Sequence, residues 1–265
     1  MATIRALRVV RVLGMRGAVL EGLRRIGVLE SYRLGGIRVS SSLDFRALRM
    51  LREAGIRVEA VDNGLIARLE GYVLWAPEPA YFEPLVDIVK YYGLLEVEGK
   101  TVLDVGAYIG DTPLYFLARG AARVIAYEPV FHEIARRNIE ANKAEDRVTL
   151  IPKGVTCRGE PLLVEERYGG TGWGTGEVKI NTDALEEILE SLPEDTAVKM
   201  DCEGCEHALQ CIPCEVLARH SQYLVETHGP DSNIISHARN CGFQAKRVKK
   251  SRFAPAALWL FTLAP

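Results

Sequence analysis

Residues 101–112 read Thr-Val-Leu-Asp-Val-Gly-Ala-Tyr-Ile-Gly-Asp-Thr, and this stretch decides the fold. Its β-branched, apolar opening suits a strand, and Gly106 and Gly110 end that strand in a tight turn that opens a helix. Such a turn brings backbone N–H groups and a helix N-terminus up to a ligand, and glycine is needed wherever a side chain would obstruct the approach. The spacing excludes two common phosphate-binding loops. A dinucleotide fingerprint needs Gly-x-Gly-x-x-Gly, whereas position 108 is Tyr, and a Walker loop needs a following Gly-Lys-Ser/Thr that is absent.

Outward from the turn, Arg123-Val-Ile-Ala-Tyr-Glu-Pro129 places Glu128 at the carboxyl end of the next strand, 22 residues after Gly106. A carboxylate there can accept hydrogen bonds from ribose hydroxyls. The candidate cofactor site is therefore Asp104, Gly106, Ala107, Tyr108, Gly110, Asp111, Thr112, Glu128 and Pro129. From Thr101 onward, β-rich runs at 101–106, 123–129, 148–155, 197–203 and 223–229 alternate with helical patterns at 111–119, 131–143, 182–192, 205–220 and 231–241, which predicts an α/β fold with parallel strands and crossover helices. Two more strand-like runs, 243–249 and 257–264, are close enough to pair as a hairpin.

Before residue 79 the pattern differs: short strands at 36–39, 57–61 and 65–69 and one helix at 45–54, closed by Ala76-Pro77-Glu78-Pro79. This gives an N-terminal appendage over 1–79, with a basic helix plus short strands, and a main domain over 80–265 that a helix at 81–95 opens. Residues 1–38 carry eight arginines against Glu21 and Glu30, with Arg5, Arg8 and Arg11 at helical spacing. The preferred reading is a solvated helix face packed on its own domain. Weak contact of residues 1–30 with a membrane surface or a partner is the alternative. The whole chain, 265 residues with 48% hydrophobic and 26% charged residues and a net charge of −2, has the balance of a globular protein. No apolar run approaches the ~20 residues of a membrane span and no secretory signal is evident, so a cytoplasmic location is expected. Few glutamines and many arginines suggest a thermophilic source.

Ligands in open parallel sheets bind beyond the carboxyl ends of the strands. Asp201 and Glu203 after one strand, and Glu226 and His228 after the next, should share that edge. His228, of ordinary pKa near neutrality, is expected to accept a proton, with Asp201 orienting cofactor or substrate and Glu226 beside them. A divalent cation on these groups is the less favoured alternative, and no metal is assigned. Lys199, in a strand buried on both faces, is expected in a structural ion pair. The five-glycine segment 165–176 suits a substrate lid or a plain flexible loop. Cys202, Cys205, Cys211 and Cys214 are read first as buried apolar thiols, then as a disulfide, then as metal ligands.

Three blocks, Asp104–Thr112, Tyr127-Glu-Pro129 and Lys199-Met-Asp-Cys-Glu-Gly-Cys-Glu206, make residues 80–265 resemble the FkbM family of class I S-adenosylmethionine-dependent methyltransferases. The third block is the most specific, and Asn181-Thr-Asp-Ala-Leu185 precedes it as a similar block does there. The resemblance implies a Rossmann-like, mostly parallel sheet with an antiparallel C-terminal hairpin, S-adenosylmethionine as cofactor, and O-methylation of a hydroxyl on a sugar or other small metabolite. Departures are Tyr108, often Asn in the family, Cys202 and Cys205 in place of small apolar residues, and no adenine-contacting acid at Lys153–Thr156. An RNA (tRNA) methyltransferase and a catalytically inert cofactor-binding interaction protein are the competing readings. Against the first, no Asn/Asp-Pro-Pro-aromatic element follows the fourth strand, so nucleic acid is not the expected partner. The acceptor pocket is expected from loop 157–180, the N-terminal appendage and a second subunit of a homo-oligomer.

Overall fold

Two compact units, Met1–Asp87 and Ile88–Pro265, make up the chain in a computed structural model. The structure describes residues 2–167, 170–173, 178–250 and 256–264, and for 2–13, 165–167 and 170–173 it describes the backbone alone. The side chains of Arg5, Arg8 and Arg11 thus lie outside the described residues.

In the first unit, α1 (Ala2–Arg25) changes direction at Gly14, whose φ of 76° and ψ of 166° interrupt the helix. The hairpin β1 (Tyr32–Leu34) and β2 (Ile37–Val39) leads to α2 (Ser42–Glu53), which begins at a capping box: Ser41 Oγ accepts the Asp44 N–H while the Asp44 carboxylate accepts the Ser41 N–H. Three antiparallel strands follow, β3 (Val58–Val61), β4 (Gly64–Leu69) and β5 (Tyr72–Ala76), the first two joined by the two-residue turn Asp62-Asn63. Part of the basic excess is neutralised internally. Buried Glu21 takes Arg24 at 2.9 Å and Arg25 at 2.7 Å, and these partners hold its carboxyl below the usual range although burial pushes the other way.

Helix α3 (Leu85–Tyr91) follows Pro84, and a 3-10 turn, Tyr92–Leu94, ends it where one helix over 81–95 was expected. Then come β6 (Thr101–Val105), α4 (Asp111–Ala118), β7 (Arg123–Tyr127), α5 (His132–Ala141), β8 (Val148–Ile151), β9 (Gly154–Thr156), β10 (Leu162–Arg167), β11 (Gly170–Trp173), β12 (Val178–Ile180), β13 (Thr182–Ala184), α6 (Leu185–Ser191), β14 (Ala197–Met200), α7 (Cys214–Leu217), β15 (Gln222–His228), α8 (Ser232–Asn240), β16 (Phe243–Lys250) and β17 (Ala256–Leu263). Seven strands make one sheet in the order β16-β17-β15-β14-β6-β7-β8. Six run parallel, and β17 pairs antiparallel with both neighbours, so the C-terminal hairpin closes the α/β sheet as expected.

Three local expectations shift. The run 148–155 splits into β8 and β9 because Pro152 cannot donate to a ladder, and β9 pairs instead with β13, which takes the first turn of the helix expected at 182–192. The helix expected at 205–220 becomes a 3-10 turn, Cys205–Cys211, and the short α7, with Pro213 between them removing an interior N–H. The glycine-rich segment folds back as β10 and β11, while residues 168–169 and 174–177 and the side chains of 165–177 lie outside the described residues.

The chain order reverses between β6 and β14: successive strands lie to one side of β6 until β8, then to its other side from β14. Such a switch point leaves a crevice at the strands' carboxyl ends. β14 is buried along its whole length, as a central parallel strand should be.

Candidate active site

Every feature of the turn after β6 has a steric or hydrogen-bonding cause. Gly106 has φ +87°, and a Cβ there would overlap the carbonyl oxygen of Asp201, so the turn and the end of β14 are in backbone contact. The N–H groups of Gly106 and Ala107 both donate to Tyr127 O. Gly110, at φ +84°, packs against the Ala135 backbone of α5, and Asn138 on that helix donates to Ile109 O at 2.7 Å. Tyr108 sits at φ 47°, a left-handed conformation that favours Asn over Tyr, so the departure from the expected Asn leaves a bulky residue in a conformation such residues seldom adopt. Its ring is held edge-on to Phe131 at 4.9 Å between centroids.

Buried Glu128 accepts the N–H of Tyr108 at 2.8 Å on Oε2 and those of Val130 and Phe131 at 2.9 Å on Oε1. Burial raises its pKa against these three donors. A carboxylate offers about four acceptor positions, so one remains, on Oε2. Below the turn, Lys199 Nζ forms a buried ion pair with Asp104 Oδ1 at 2.9 Å and donates to Gly106 O at 2.5 Å and Val105 O at 3.3 Å, and Thr112 Oγ1 donates to Asp104 Oδ2. Burial disfavours the Lys199 ammonium, yet the Asp104 and Asp201 carboxylates keep its pKa above normal. The first helical residue, Asp111, is 1% exposed. Its Oδ1 accepts the Thr112 N–H, and its Oδ2 is buried with no hydrogen-bond partner among the described residues. Burial pushes this carboxyl up to about 7.

At the ends of β14 and β15, four carboxylates surround one imidazole. His228 Nε2 stands 3.5 Å from Glu203 Oε2 and 3.9 Å from Asp201 Oδ1, and its Nδ1 stands 3.3 Å from Glu206 Oε1. Glu226 lies within the same cluster, and Lys249 Nζ is 3.6 Å from its Oε1. The Tyr92 hydroxyl donates to Asp201 Oδ2 at 2.5 Å. Glu206, fully buried, takes the Gly204 N–H at 2.7 Å and the His228 N–H at 2.6 Å, pinning the turn in which Glu203 has φ 56°. Burial alone would lower the His228 pKa, but Glu206, Asp201 and Glu203 raise it to about 9, so at neutral pH the ring already carries a proton. His228 therefore does not have the ordinary pKa expected of it. Burial lifts Glu203 to about 7, while Lys199 and His228 hold Asp201 low against its own burial.

Residues 104–244 match the Methyltransferase FkbM domain. The chain belongs to the FkbM methyltransferase family. Its activity is S-adenosylmethionine-dependent methyl transfer. Among curated relatives, protein 158B of Sulfolobus islandicus rod-shaped virus 1, an uncharacterized protein, is 27% identical over 137 residues, 52% of this chain and 66% of that one. Uncharacterized protein 65 of a Sulfolobus islandicus filamentous virus is 30% identical over 148 residues, 56% of this chain and 72% of that one. Among solved structures, a precorrin-6y C5,15-methyltransferase from Geobacter metallireducens overlays with a TM-score of 0.43 and 15% identity, covering 67% of this chain and 88% of that one.

The cofactor fits the turn of this FkbM methyltransferase on two observations: the acceptor position left on Glu128, and the unpartnered Asp111 Oδ2 beside the N-terminus of α4. Where an adenine-contacting acid was missing from the sequence at 153–156, Lys153 pairs with Asp183 at 2.7 Å, a carboxylate supplied by β13.

Sequence reasoning missed Tyr92, Glu206 and Lys249 as parts of the edge, because each is brought there by tertiary packing rather than by a strand end. It also misread the cysteines. Instead of free thiols, the structure has Cys202–Cys205, Cys157–Cys211 and Cys214–Cys241 as disulfides, which pair two of the four clustered cysteines with Cys157 and Cys241, distant in sequence. Paired cysteines occur in oxidising surroundings or inside hyperthermophiles. No helix among the described residues is long and apolar enough to cross a membrane.

Proposed function

We propose that this FkbM methyltransferase methylates a hydroxyl oxygen of a small polar acceptor, a sugar or similar metabolite. The observation that carries the reading is the carboxylate ring around His228 at the ends of β14 and β15, against the strand whose turn holds the cofactor. Bound S-adenosylmethionine supplies an electrophilic methyl group whose bond to sulfur breaks, with the electron pair staying on sulfur, as the bond to the acceptor oxygen forms. The acceptor's proton must go to the protein. Glu203 is placed to take it: it is the most exposed carboxylate of the ring, with 37% of its side chain accessible, and a left-handed backbone holds it at the edge. His228, charged and beside it, orients that carboxylate, while Tyr92 fixes Asp201.

An acidic edge suits a hydroxylated acceptor and opposes a polyanion, since nucleic-acid binding draws most of its affinity from cations on phosphates. The basic composition of residues 1–38 is what favours the RNA reading. Methyl transfer from labelled cofactor to a panel of sugars and hydroxylated metabolites, with transfer RNA as the other arm, tests both. Product on a hydroxyl of a small metabolite supports the proposal. Product on RNA alone overturns it, and no product on any of the hydroxylated acceptors counts against it.

A further inference from the structure

We propose that Asp201, Glu226 and His228 form a divalent-cation site that holds the acceptor hydroxyl. This rests on the hydroxyl-acceptor reading above. One donor atom from each residue lies within 4.8 Å of the other two. The strands dictate this. Glu226 and His228, two apart on β15, point to the same face of the sheet, and Asp201 follows the neighbouring β14.

Two of the three donors are also held from behind. Glu206, fully buried, binds the His228 N–H and stands 3.3 Å from Nδ1, which leaves Nε2 facing Glu203 at 3.5 Å and Asp201 at 3.9 Å. A carboxylate behind a histidine ring in this way fixes the orientation of a ligating imidazole and strengthens it as a donor. Tyr92 occupies Asp201 Oδ2 and so leaves Oδ1 toward His228. Two carboxylates also supply the charge that neutralises a dication. Two oxygen donors and one imidazole suit Mg²⁺ or Mn²⁺, and with all six cysteines in disulfides no thiolate is at hand for a softer metal. Lys249, 3.6 Å from Glu226, and the proton that His228 carries in the metal-free protein are the competing cations, and both must give way to the ion. An octahedral ion with three protein ligands keeps three positions open, enough for two oxygens of a 1,2-diol, whose hydroxyl it would acidify and orient.

Mn²⁺ alone, titrated into the full chain without cofactor or acceptor and followed by electron paramagnetic resonance, tests the site. One Mn²⁺ should bind per chain, at least tenfold more weakly in Glu226→Gln and in His228→Asn, and 10–100-fold more weakly in Glu206→Gln, where only the supporting carboxylate changes. Thermal unfolding checks each variant, and should His228→Asn not fold, Glu226→Gln and Glu206→Gln carry the comparison. No binding to the wild type at millimolar Mn²⁺, or equal binding by the folded variants, overturns the cation site. Because this readout needs no turnover, its failure is distinct from failure of the hydroxyl-acceptor reading, which shows as absence of methylated metabolite.

Discussion

Lys199 Nζ lies 2.9 Å from Asp104 Oδ1 across the two central strands, and neither side chain is more than 2% exposed. Because the same ammonium also binds the carbonyls of Val105 and Gly106, the ion pair props the β6–α4 turn from below. Removing one member of a buried pair strands the other's charge, typically at about 3–5 kcal/mol. Lys199→Met should lose about that much in urea unfolding, and Lys199→Met with Asp104→Asn should lose less than the single change. A loss below about 1 kcal/mol for Lys199→Met would show that Asp104 finds another partner.

The turn itself makes a prediction about ligand. Gly106→Val drives a side chain into Asp201 O and should abolish calorimetric binding of S-adenosylhomocysteine. Glu128→Gln puts an amide where backbone N–H groups now donate, and should weaken binding about tenfold, roughly 1.4 kcal/mol. Unchanged affinity in both variants would place the cofactor elsewhere.

The disulfides predict redox-dependent stability. The Cys157–Cys211 bond closes a loop of 54 residues, for which the chain-entropy estimate is roughly 4 kcal/mol. Cys157→Ser with Cys211→Ser should lower the unfolding free energy by a large share of that, and reductant should lower the wild-type melting temperature while barely affecting a variant lacking all three bonds. Equal melting with and without reductant would mean that the cysteines are not paired in solution.

How much of this was legible in the sequence depended on how locally each feature is encoded. The β6–α4 turn could be read because Gly106 and Gly110 are demanded by positive φ and by backbone neighbours, a constraint written into single residues. The succession of strands and helices along the main domain followed from alternation and turn spacing. Breaks at Pro152 and Pro213 were visible as prolines, yet their outcome, β9 pairing with β13 and a 3-10 turn in place of a helix, depends on partners far along the chain. His228 was found from its place at a strand end. Its raised pKa could not be, since Glu206 lies 22 residues earlier and reaches it through a turn whose left-handed Glu203 no spacing rule anticipates.

The last prediction concerns pH and the buried Asp111. Its folded-state carboxyl is pushed up to about 7 from an ordinary 3.8, chiefly by burial and then by Asp104, with Lys199 opposing. Between those values the folded state holds a proton that the unfolded chain has released, so this group's contribution is fully present below about pH 4 and is lost as pH rises through 7. A shift of that size corresponds to at most about 4 kcal/mol. Asp111→Asn keeps the oxygen that accepts the Thr112 N–H and removes the titration. The variant should match wild type near pH 4 and be more stable by up to that amount at pH 8 in cofactor-free protein, as read from urea midpoints across the range. Glu128 titrates in both proteins and cancels in the difference. Parallel stability curves for variant and wild type from pH 4 to 8 would show that Asp111 ionises without cost, and that the interior beside α4 is wetter than the structure indicates.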